Sequence, residues 1–334
     1  MNTPENSAAK TGKIMLVGLG PGSHDHLTVR ARAAIAEADT VIGYATYIRL
    51  VKELLDGKEV IKKAMTEELD RAIEAYDRAK LGKKVALISS GDAGVYGMAG
   101  PTFEVLFQAG WTPDAGIEVE IIPGASAINT CASLVGAPLT HDFCAISLSD
   151  LLTPWPTIAR RLDAVAYSDF VVALYNPKSG RRTRQIQEAQ RIFLRHRDPD
   201  TPVAIVKSAF RAKQRIEFTT LDKMTEADIG MLSTVLIGNS NTFVKHGLMI
   251  TPRGYANKYD VEIGNSAARE GEKAGHSLST GLNGWLAAIH AAHAAGATPA
   301  ELAKSHRLPE DYIAAVLAEP LAVDDDETEE SAEA

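Results

Sequence analysis

The sequence predicts an α/β protein with two α/β domains, followed by a small helical C-terminal extension. Short β-branched apolar runs alternate with amphipathic stretches from residue 13 to about 138, and the alternation starts again at 139. The composition changes from Gly254 onward, with a polar stretch at 258–279 and an alanine-rich one at 283–295. Such alternation is typical of parallel βαβ units with right-handed crossovers. The predicted segments are a disordered lead-in at 1–12, domains at 13–138 and 139–253, an extension at 254–318 and an acidic disordered tail at 319–334.

Apolar periodicity places the elements of the first domain. A helix at 28–38 has Ala31, Ala34 and Ile35 on one face, and Thr28 precedes it as a cap. The other predicted helices are 67–80, 102–109 and 126–134, and the predicted strands are 13–17, 40–43, 84–89 and 117–122.

The second domain repeats this pattern with one difference. Residues 214–219 alternate between apolar and polar side chains, as a solvent-facing antiparallel strand does. The other predicted strands are 143–148, 169–174, 202–206 and 234–237, and the predicted helices are 157–166 and 183–194.

The extension is predicted to be helical. Thr298-Pro299-Ala300-Glu301 combines a cap, a proline at the first helical position and an acid at the third. Helices are expected at 283–295, after Thr298, and from Pro309 to 317. A DNA-binding regulator that acts through residues 283–318 is a distant alternative. Its second helix, at 310–319, contains no Lys or Arg, which a recognition helix facing phosphates requires.

The net charge of −8 belongs to the tail. Residues 319–334 include eight acidic residues and no Lys or Arg, so residues 1–318 are formally neutral. Without a basic field we expect no nucleic-acid partner.

Composition also bears on compartment and metals. No apolar run approaches the roughly 20 residues of a membrane helix, and residues 1–12 lack the apolar core of a secretory signal. We therefore expect a cytoplasmic protein with no membrane partner. Cys131 and Cys144 are expected to be free thiols. Two cysteines are too few for an ordinary iron–sulfur cluster, and no metal site is predicted.

Three glycine loops follow predicted strands, at 18–22, 89–97 and 123–127. Glycine permits close approach of the backbone to a ligand, so the loops indicate a small molecule held at one edge of a parallel sheet. Asp92 can hold a hydroxyl or amino group of that ligand, and Gly94 and Gly97 are expected to leave room for a flat one. The alternative is that the glycines only allow tight turns between strands and helices.

A dinucleotide-binding fingerprint fits the first loop poorly. Pro21 lacks an N–H group and removes a donor from any phosphate cradle. The second predicted strand ends in Gly43-Tyr44 rather than in the acidic residue that would hold a ribose.

The loop sequences resemble those of the tetrapyrrole methylases. The resemblance rests on Val-Gly-Leu-Gly-Pro-Gly at 17–22, Gly-Asp-Ala-Gly-Val-Tyr-Gly at 91–97 and Pro-Gly-Ala-Ser-Ala at 123–127. Within the family, Ile-Ser-Leu-Ser-Asp-Leu-Leu-Thr-Pro-Trp at 146–155, Ala-Leu-Tyr-Asn-Pro-Lys-Ser at 173–179 and Ile-Gly-Tyr-x-x-Tyr at 42–47 resemble the branch that methylates C17 of precorrin-3B. The family often has Gly-Asp-Pro where this chain has Gly-Asp-Ala, which resembles the C17 branch.

The resemblance implies a homodimeric enzyme of two α/β domains that binds S-adenosylmethionine in the cleft between them. The expected reaction is methylation of C17 of precorrin-3B, with ring contraction to precorrin-4, in cobalamin synthesis. The alternatives are the equivalent cobalt-containing substrate of the oxygen-independent route and another precorrin methyltransferase. The residues expected at the cofactor are Pro21, Gly91, Asp92, Ala93, Ser126, Ala127, Tyr175, Asn176, Ser208 and Ala209.

The candidate residues for catalysis and substrate binding come from the C17-like block, the first loop region and a basic run. Ring contraction requires proton movement near an oxygen at C20, and Asp150 in the C17-like block is the first candidate, followed by Ser149 and His26. A local turn capped by Asp150 is the alternative. Lys178, Arg181 and Arg182 belong to a basic run that suits the carboxylates of a tetrapyrrole; an exposed helix start is the competing explanation.

Overall fold

The computed structural model describes residues 12–64, 66–114, 116–261 and 267–321. The predicted lead-in, apart from Gly12, and the predicted tail from residue 322 onward lie outside the described residues. The described residues form two compact units, which divide between Pro252 and Arg253.

The first unit contains two five-stranded sheets and a small three-stranded sheet. Its strands are β1 Lys13–Gly18, β2 Thr40–Tyr44, β3 Glu59–Lys63, β4 Lys84–Ser89, β5 Glu118–Ile122, β6 Gly136–Ala137, β7 Phe143–Ser147, β8 Val171–Tyr175, β9 Pro202–Lys207, β10 Arg215–Thr220, β11 Ser233–Ile237, β12 Phe243–Lys245 and β13 Leu248–Ile250. Its helices are α1 Val29–Glu37, α2 Ala45–Leu50, α3 Glu68–Lys80, α4 Ala99–Gln108, α5 Ala127–Val135, α6 Trp155–Tyr167 and α7 Gln185–Phe193.

The first sheet is parallel, with strand order β3-β2-β4-β1-β5. Alternate residues of β1 enter different cores, because side chains of a strand point to opposite faces. Met15 and Val17 belong to the core beneath α1, whereas Ile14 and Leu16 belong to the core beneath α3 and α4. Helices therefore cover both faces, which explains why the strands are continuously apolar.

The second sheet is mixed, with strand order β10-β9-β11-β8-β7. Strands β7 and β8 are parallel, and the other neighbouring pairs are antiparallel. Helices α6 and α7 pack on one face, and α5 packs on the other through Ile128, Cys131 and Ala132. Strand β10 is antiparallel at the sheet edge with its first residues exposed, which confirms the expectation for 214–219.

The second unit contains α8 Tyr255–Lys258, α9 Leu282–Ala294, α10 Pro299–His306 and α11 Glu310–Ala318. Its own core consists of Ile289, Leu302, Ala303, Ile313 and Val316. The predicted caps are present: Thr298 and Glu301 form a reciprocal capping box on α10, and in the first unit Thr28 accepts a hydrogen bond from the Ala31 amide. Cys131 and Cys144 are free thiols. No helix in the described part of the chain is long and apolar enough to cross a membrane.

Candidate functional site

Sheet topology brings the three glycine loops together. Strands β4, β1 and β5 are neighbours and run parallel, so the loops that follow Ser89, Gly18 and Ile122 emerge at the same edge. The first two loops are joined directly, because Gly20 and Gly91 exchange backbone hydrogen bonds of 3.0 and 2.7 Å between N and O.

Glycine is required where these loops touch one another. A Cβ added to Gly18 would lie 2.6 Å from the Gly124 nitrogen and 2.8 Å from the Gly91 oxygen. Gly124 is packed in turn against the backbones of Gly91 and Gly18. Glycine at these two positions therefore lets the loops pack closely against one another. The sequence alone could not distinguish this role from close approach of the backbone to a ligand.

Asp92 fixes the second loop to the third. Its Oδ1 accepts a hydrogen bond of 2.7 Å from the Gly94 amide, and its Oδ2 accepts one of 3.0 Å from the Gly124 amide. The carboxylate is thus oriented by backbone donors while it lines the cavity described below.

The second sheet supplies the opposite wall. Strands β8 and β9 both run antiparallel to β11, so Tyr175 and Ser208 lie at the same edge as the start of β11 at Ser233. Asn176 and Ser208 on this wall have positive φ angles of 50° and 54°, and so does Tyr96 in the second glycine loop, at 53°. Non-glycine residues in this region store strain, and such strain concentrates at functional sites.

Side chains connect the two walls. The Tyr175 hydroxyl accepts a hydrogen bond of 2.7 Å from the Ile128 amide at the start of α5, and the Tyr96 hydroxyl donates to the Ala145 carbonyl at 3.2 Å. The rings of Tyr96 and Tyr175 are 5.1 Å apart. Burial raises the pKa of both tyrosines, so both phenols stay protonated at neutral pH.

A cavity lies between these walls, and most of the residues predicted to hold a cofactor line it. These are Pro21, Gly91, Asp92, Ala127, Tyr175, Asn176, Ser208 and Ala209. Ala93 and Ser126 do not line it. Ala93 is fully buried in the core of the first sheet, and the buried Ser126 donates from Oγ to Asn129 at the N-terminus of α5.

Gly94 and Gly97 were expected to leave room for a flat ligand. Neither residue is among those lining the cavity. A Cβ at Gly97 would lie 2.5 Å from the Ala93 oxygen and 2.6 Å from the Asp92 oxygen, so glycine is needed there for the turn itself.

The three candidate catalytic residues lie outside the cavity lining. Asp150 Oδ2 accepts a hydrogen bond of 2.8 Å from Gln185 Nε2, and the Ser149 amide donates to Ser147 Oγ. His26 Nδ1 lies 2.7 Å from Ser23 Oγ, and its ring lies 4.0 Å from the ring of Phe210.

The two C17-like blocks at the ends of β7 and β8 are joined to each other. Ser147 Oγ accepts a hydrogen bond of 3.0 Å from Asn176 Nδ2. Arg182 Nη1 donates to the carbonyls of Leu148 and Asn176, both at 3.1 Å. Arg182 therefore fixes the loop geometry, whereas Lys178 is partly exposed and Arg181 is exposed.

Sequence reasoning missed several lining residues. Tyr47 entered only as part of a motif, and Arg211 and the segment from Met231 to Thr234 were not considered. Arg211 follows β9 by a few residues, and attention to every strand end at this edge would have found it. Burial raises the pKa of Tyr47 and lowers the pKa of Arg211.

The arrangement can enclose a polar organic molecule. It offers backbone groups from three loops, one carboxylate, one guanidinium and aromatic rings. Among the described residues there is no group of three or more His, Cys, Asp and Glu side chains placed to hold a metal ion.

Comparison with known proteins identifies the family. The sequence profile described as Tetrapyrrole (Corrin/Porphyrin) Methylases matches residues 13–225. The chain belongs to the tetrapyrrole methylase family. The resemblance found in the loop sequences, and the α/β fold that it implied, are therefore confirmed.

Particular relatives are more informative. This methylase is 59% identical over 250 residues to a Priestia megaterium protein named "Cobalt-factor III methyltransferase". That match covers 75% of the chain and 46% of the relative, so the chain spans about half the length of that protein. The chain is also 46% identical over 242 residues to a Salmonella typhimurium protein named "Probable cobalt-factor III C(17)-methyltransferase". That match covers 72% of the chain and 99% of the relative.

A solved structure agrees with the fold. The crystal structure of the methyltransferase CobJ superposes on this tetrapyrrole methylase with a TM-score of 0.69 at 36% sequence identity. The match covers 72% of this chain and 100% of that one.

Proposed function

We propose that the protein is an S-adenosylmethionine-dependent methyltransferase that methylates C17 of a tetrapyrrole, with ring contraction, in cobalamin biosynthesis. The observation that carries this proposal is the 46% identity to the Salmonella typhimurium relative over 99% of its length. The segment that matches includes the Ser-Leu-Ser-Asp block and the Tyr-Asn-Pro block, which the structure joins through Ser147 and Arg182.

The relatives favour a cobalt-containing substrate over metal-free precorrin-3B. The two relatives with 59% and 46% identity are both named for cobalt-factor III. We therefore propose cobalt-factor III as the substrate and keep precorrin-3B as the alternative. A homodimer remains an expectation that follows from the family.

The cavity suits S-adenosylmethionine, whose sulfonium supplies an activated methyl group when it is bound. Asp92 is held by the Gly94 and Gly124 amides, so it is already oriented to accept a hydrogen bond from a hydroxyl or amino group. Tyr175 and Ala127 offer an apolar surface beside it. The role of these residues is orientation, which supplies about 7–11 kcal/mol in favourable model reactions.

Proton transfer during ring contraction is assigned to the loop after β7. Asp150 is the proposed acid/base or orienting group, because a hydrogen bond of 2.8 Å from Gln185 Nε2 to Oδ2 orients its carboxylate. Ser149 in the same loop and His26, which lies after β1, are the secondary candidates. Ser208, Ala209 and Asn176 contribute to the cofactor wall in this proposal.

In the decisive experiment, the purified protein is incubated with S-adenosylmethionine and either cobalt-factor III or precorrin-3B. Mass and absorbance spectra should show one added methyl group and ring contraction with the cobalt-containing macrocycle. Reaction with precorrin-3B alone would reverse the choice of substrate, and no methyl transfer to either would overturn the proposed function.

Substrate carboxylates are proposed to bind Lys178, Arg181 and Arg182. Arg181→Gln and Lys178→Gln should raise the KM for the macrocycle and leave the affinity for S-adenosylhomocysteine unchanged. Arg182→Gln should in addition lower activity through loss of its bonds to Leu148 and Asn176. An unchanged KM in the triple variant would refute this assignment.

A further inference from the structure

The cavity contains two charged side chains that have no counter-charge among the described residues. Among its lining residues, Asp92 and Arg211 are the charged ones. Neither takes part in any ion pair within the described part of the chain. A charge that is partly withdrawn from water is costly unless a counter-charge or hydrogen bonds compensate it.

Arg211 is held in place but keeps unused donors. Its Nε donates to the Pro21 carbonyl at 2.6 Å, and its Nη2 donates to Ser90 Oγ at 2.9 Å. A guanidinium has five N–H groups, so three have no partner among the described residues. Both partners belong to the first two glycine loops, so Arg211 is fixed on the wall that these loops form.

Arg197, between α7 and β9, is a structural arginine in the same unit and provides a comparison. It is buried, and its guanidinium donates to the carbonyls of Gly238, Val165 and Phe170 and to that of Ala166. Four of its five N–H donors are thus used by protein carbonyls. Arg211 has half as many bonds and faces a cavity, which is the arrangement of a ligand-binding arginine rather than a structural one.

We propose that Arg211 binds the α-carboxylate at the amino-acid end of the methyl donor and of its product. The inference rests on the proposed function. The planar fork of arginine matches a carboxylate, and the amino-acid end of the donor is a zwitterion. The two charges of the cavity that lack a counter-charge, negative Asp92 and positive Arg211, complement such a group.

The test compares S-adenosylhomocysteine with its decarboxylated analogue, which differs only in the carboxylate, by titration calorimetry on the full chain. In the wild type, the carboxylate should strengthen binding about 10- to 100-fold, as a charge-assisted hydrogen bond does. Arg211→Gln should abolish this preference and bind the decarboxylated analogue as the wild type does. Arg211→Lys should retain part of the preference. Arg215→Gln, four residues further on and exposed, is the matched control and should leave both affinities unchanged.

Each contrary outcome is distinguishable. If the wild type binds both ligands equally, the proposal is overturned without any variant. If Arg211→Gln weakens both ligands equally, Arg211 only joins the loops. If the variant instead raises the KM for the macrocycle and keeps the carboxylate preference, Arg211 belongs to the substrate. If the wild type binds neither ligand, the proposed function itself fails.

Discussion

Glu120 is held by two cations from different elements. Arg30 on α1 contacts it through Nε and Nη2 at 2.6 and 2.5 Å, and Lys13 on β1 lies 2.7 Å away. The hydrogen bond from Arg30 is the main cause that lowers the pKa of Glu120 from 4.5 to about 2. Because β1 and β5 lead into the first and third glycine loops, this cluster helps to fix the frame of the cavity.

Glu120→Gln should destabilise the protein by about 1–2 kcal/mol at pH 7, a figure reduced for the solvent exposure of Arg30. The folded-state pKa lies below the unfolded one, so the stabilisation is complete above about pH 4.5 and falls as the pH drops toward 2. Urea unfolding of both proteins at pH 7, 5 and 4 measures the difference.

Glu118→Gln is the control for this prediction. Among the described residues Glu118 forms an ion pair with Lys13 only, and it is more exposed than Glu120. Its loss should therefore cost less than ~0.5 kcal/mol. A difference between Glu120→Gln and the wild type that stays constant from pH 7 to pH 4 would contradict the electrostatic account.

At the scale of elements, backbone packing between loops determines the cavity edge. Gly18→Ala should destabilise the protein by about 2–4 kcal/mol, because the added methyl group meets the Gly124 and Gly91 backbones. Affinity for S-adenosylhomocysteine should fall as well. Denaturant unfolding and calorimetry measure the two effects.

Gly180→Ala is matched to this variant, since a Cβ there meets no atom within 4 Å. It should change stability by less than ~0.5 kcal/mol. Equal stability of the two variants would show that the loops separate easily and that Gly18 is not required for their contact.

The capping box of α10 is a second testable element. Thr298→Ala removes the acceptor for the Glu301 amide and should cost about 1 kcal/mol. Hydrogen exchange of the first-turn amides of α10 should accelerate, whereas Thr298→Ser should preserve their protection. Unchanged exchange in the alanine variant would show that the helix is held by packing alone.

At the scale of the whole molecule, local patterns predicted the order of elements well. The strand Lys84–Ser89 has the predicted bounds, and helix α3 begins one residue after its predicted start. Strand β3, Glu-Val-Ile-Lys-Lys, was missed because a short, charged edge strand lacks a continuous apolar run.

The wall of the cavity was predictable only where it lies in one loop. Asp92 and Tyr175 were predicted because each belongs to a recognisable sequence motif at the end of a strand, Gly-Asp-Ala and Tyr-Asn-Pro. Arg211 was not found, because its partners Pro21 and Ser90 are far from it in sequence. The role of Gly18 also depends on a contact with Gly124 across two strands, which no local pattern records.

The division into two units leads to the last prediction. Residues 1–252 contain both large sheets and the cavity, and residues 253–334 have a separate small core around Ile313. The Salmonella typhimurium relative is covered over 99% of its length by 242 residues of this chain. A chain that ends at Pro252 should therefore fold and bind S-adenosylhomocysteine with unchanged affinity.

A chain that ends at Thr220 is the control, because it lacks β11 between β9 and β8 and should not fold. Circular dichroism and calorimetry compare the three lengths. Methyl transfer by the 252-residue chain should equal that of the full chain, since the candidate cofactor, catalytic and substrate residues all precede Pro252. Loss of S-adenosylhomocysteine binding in a folded 252-residue chain would show that the second unit contributes to the site, and would contradict the assignment of the cavity to the first unit alone.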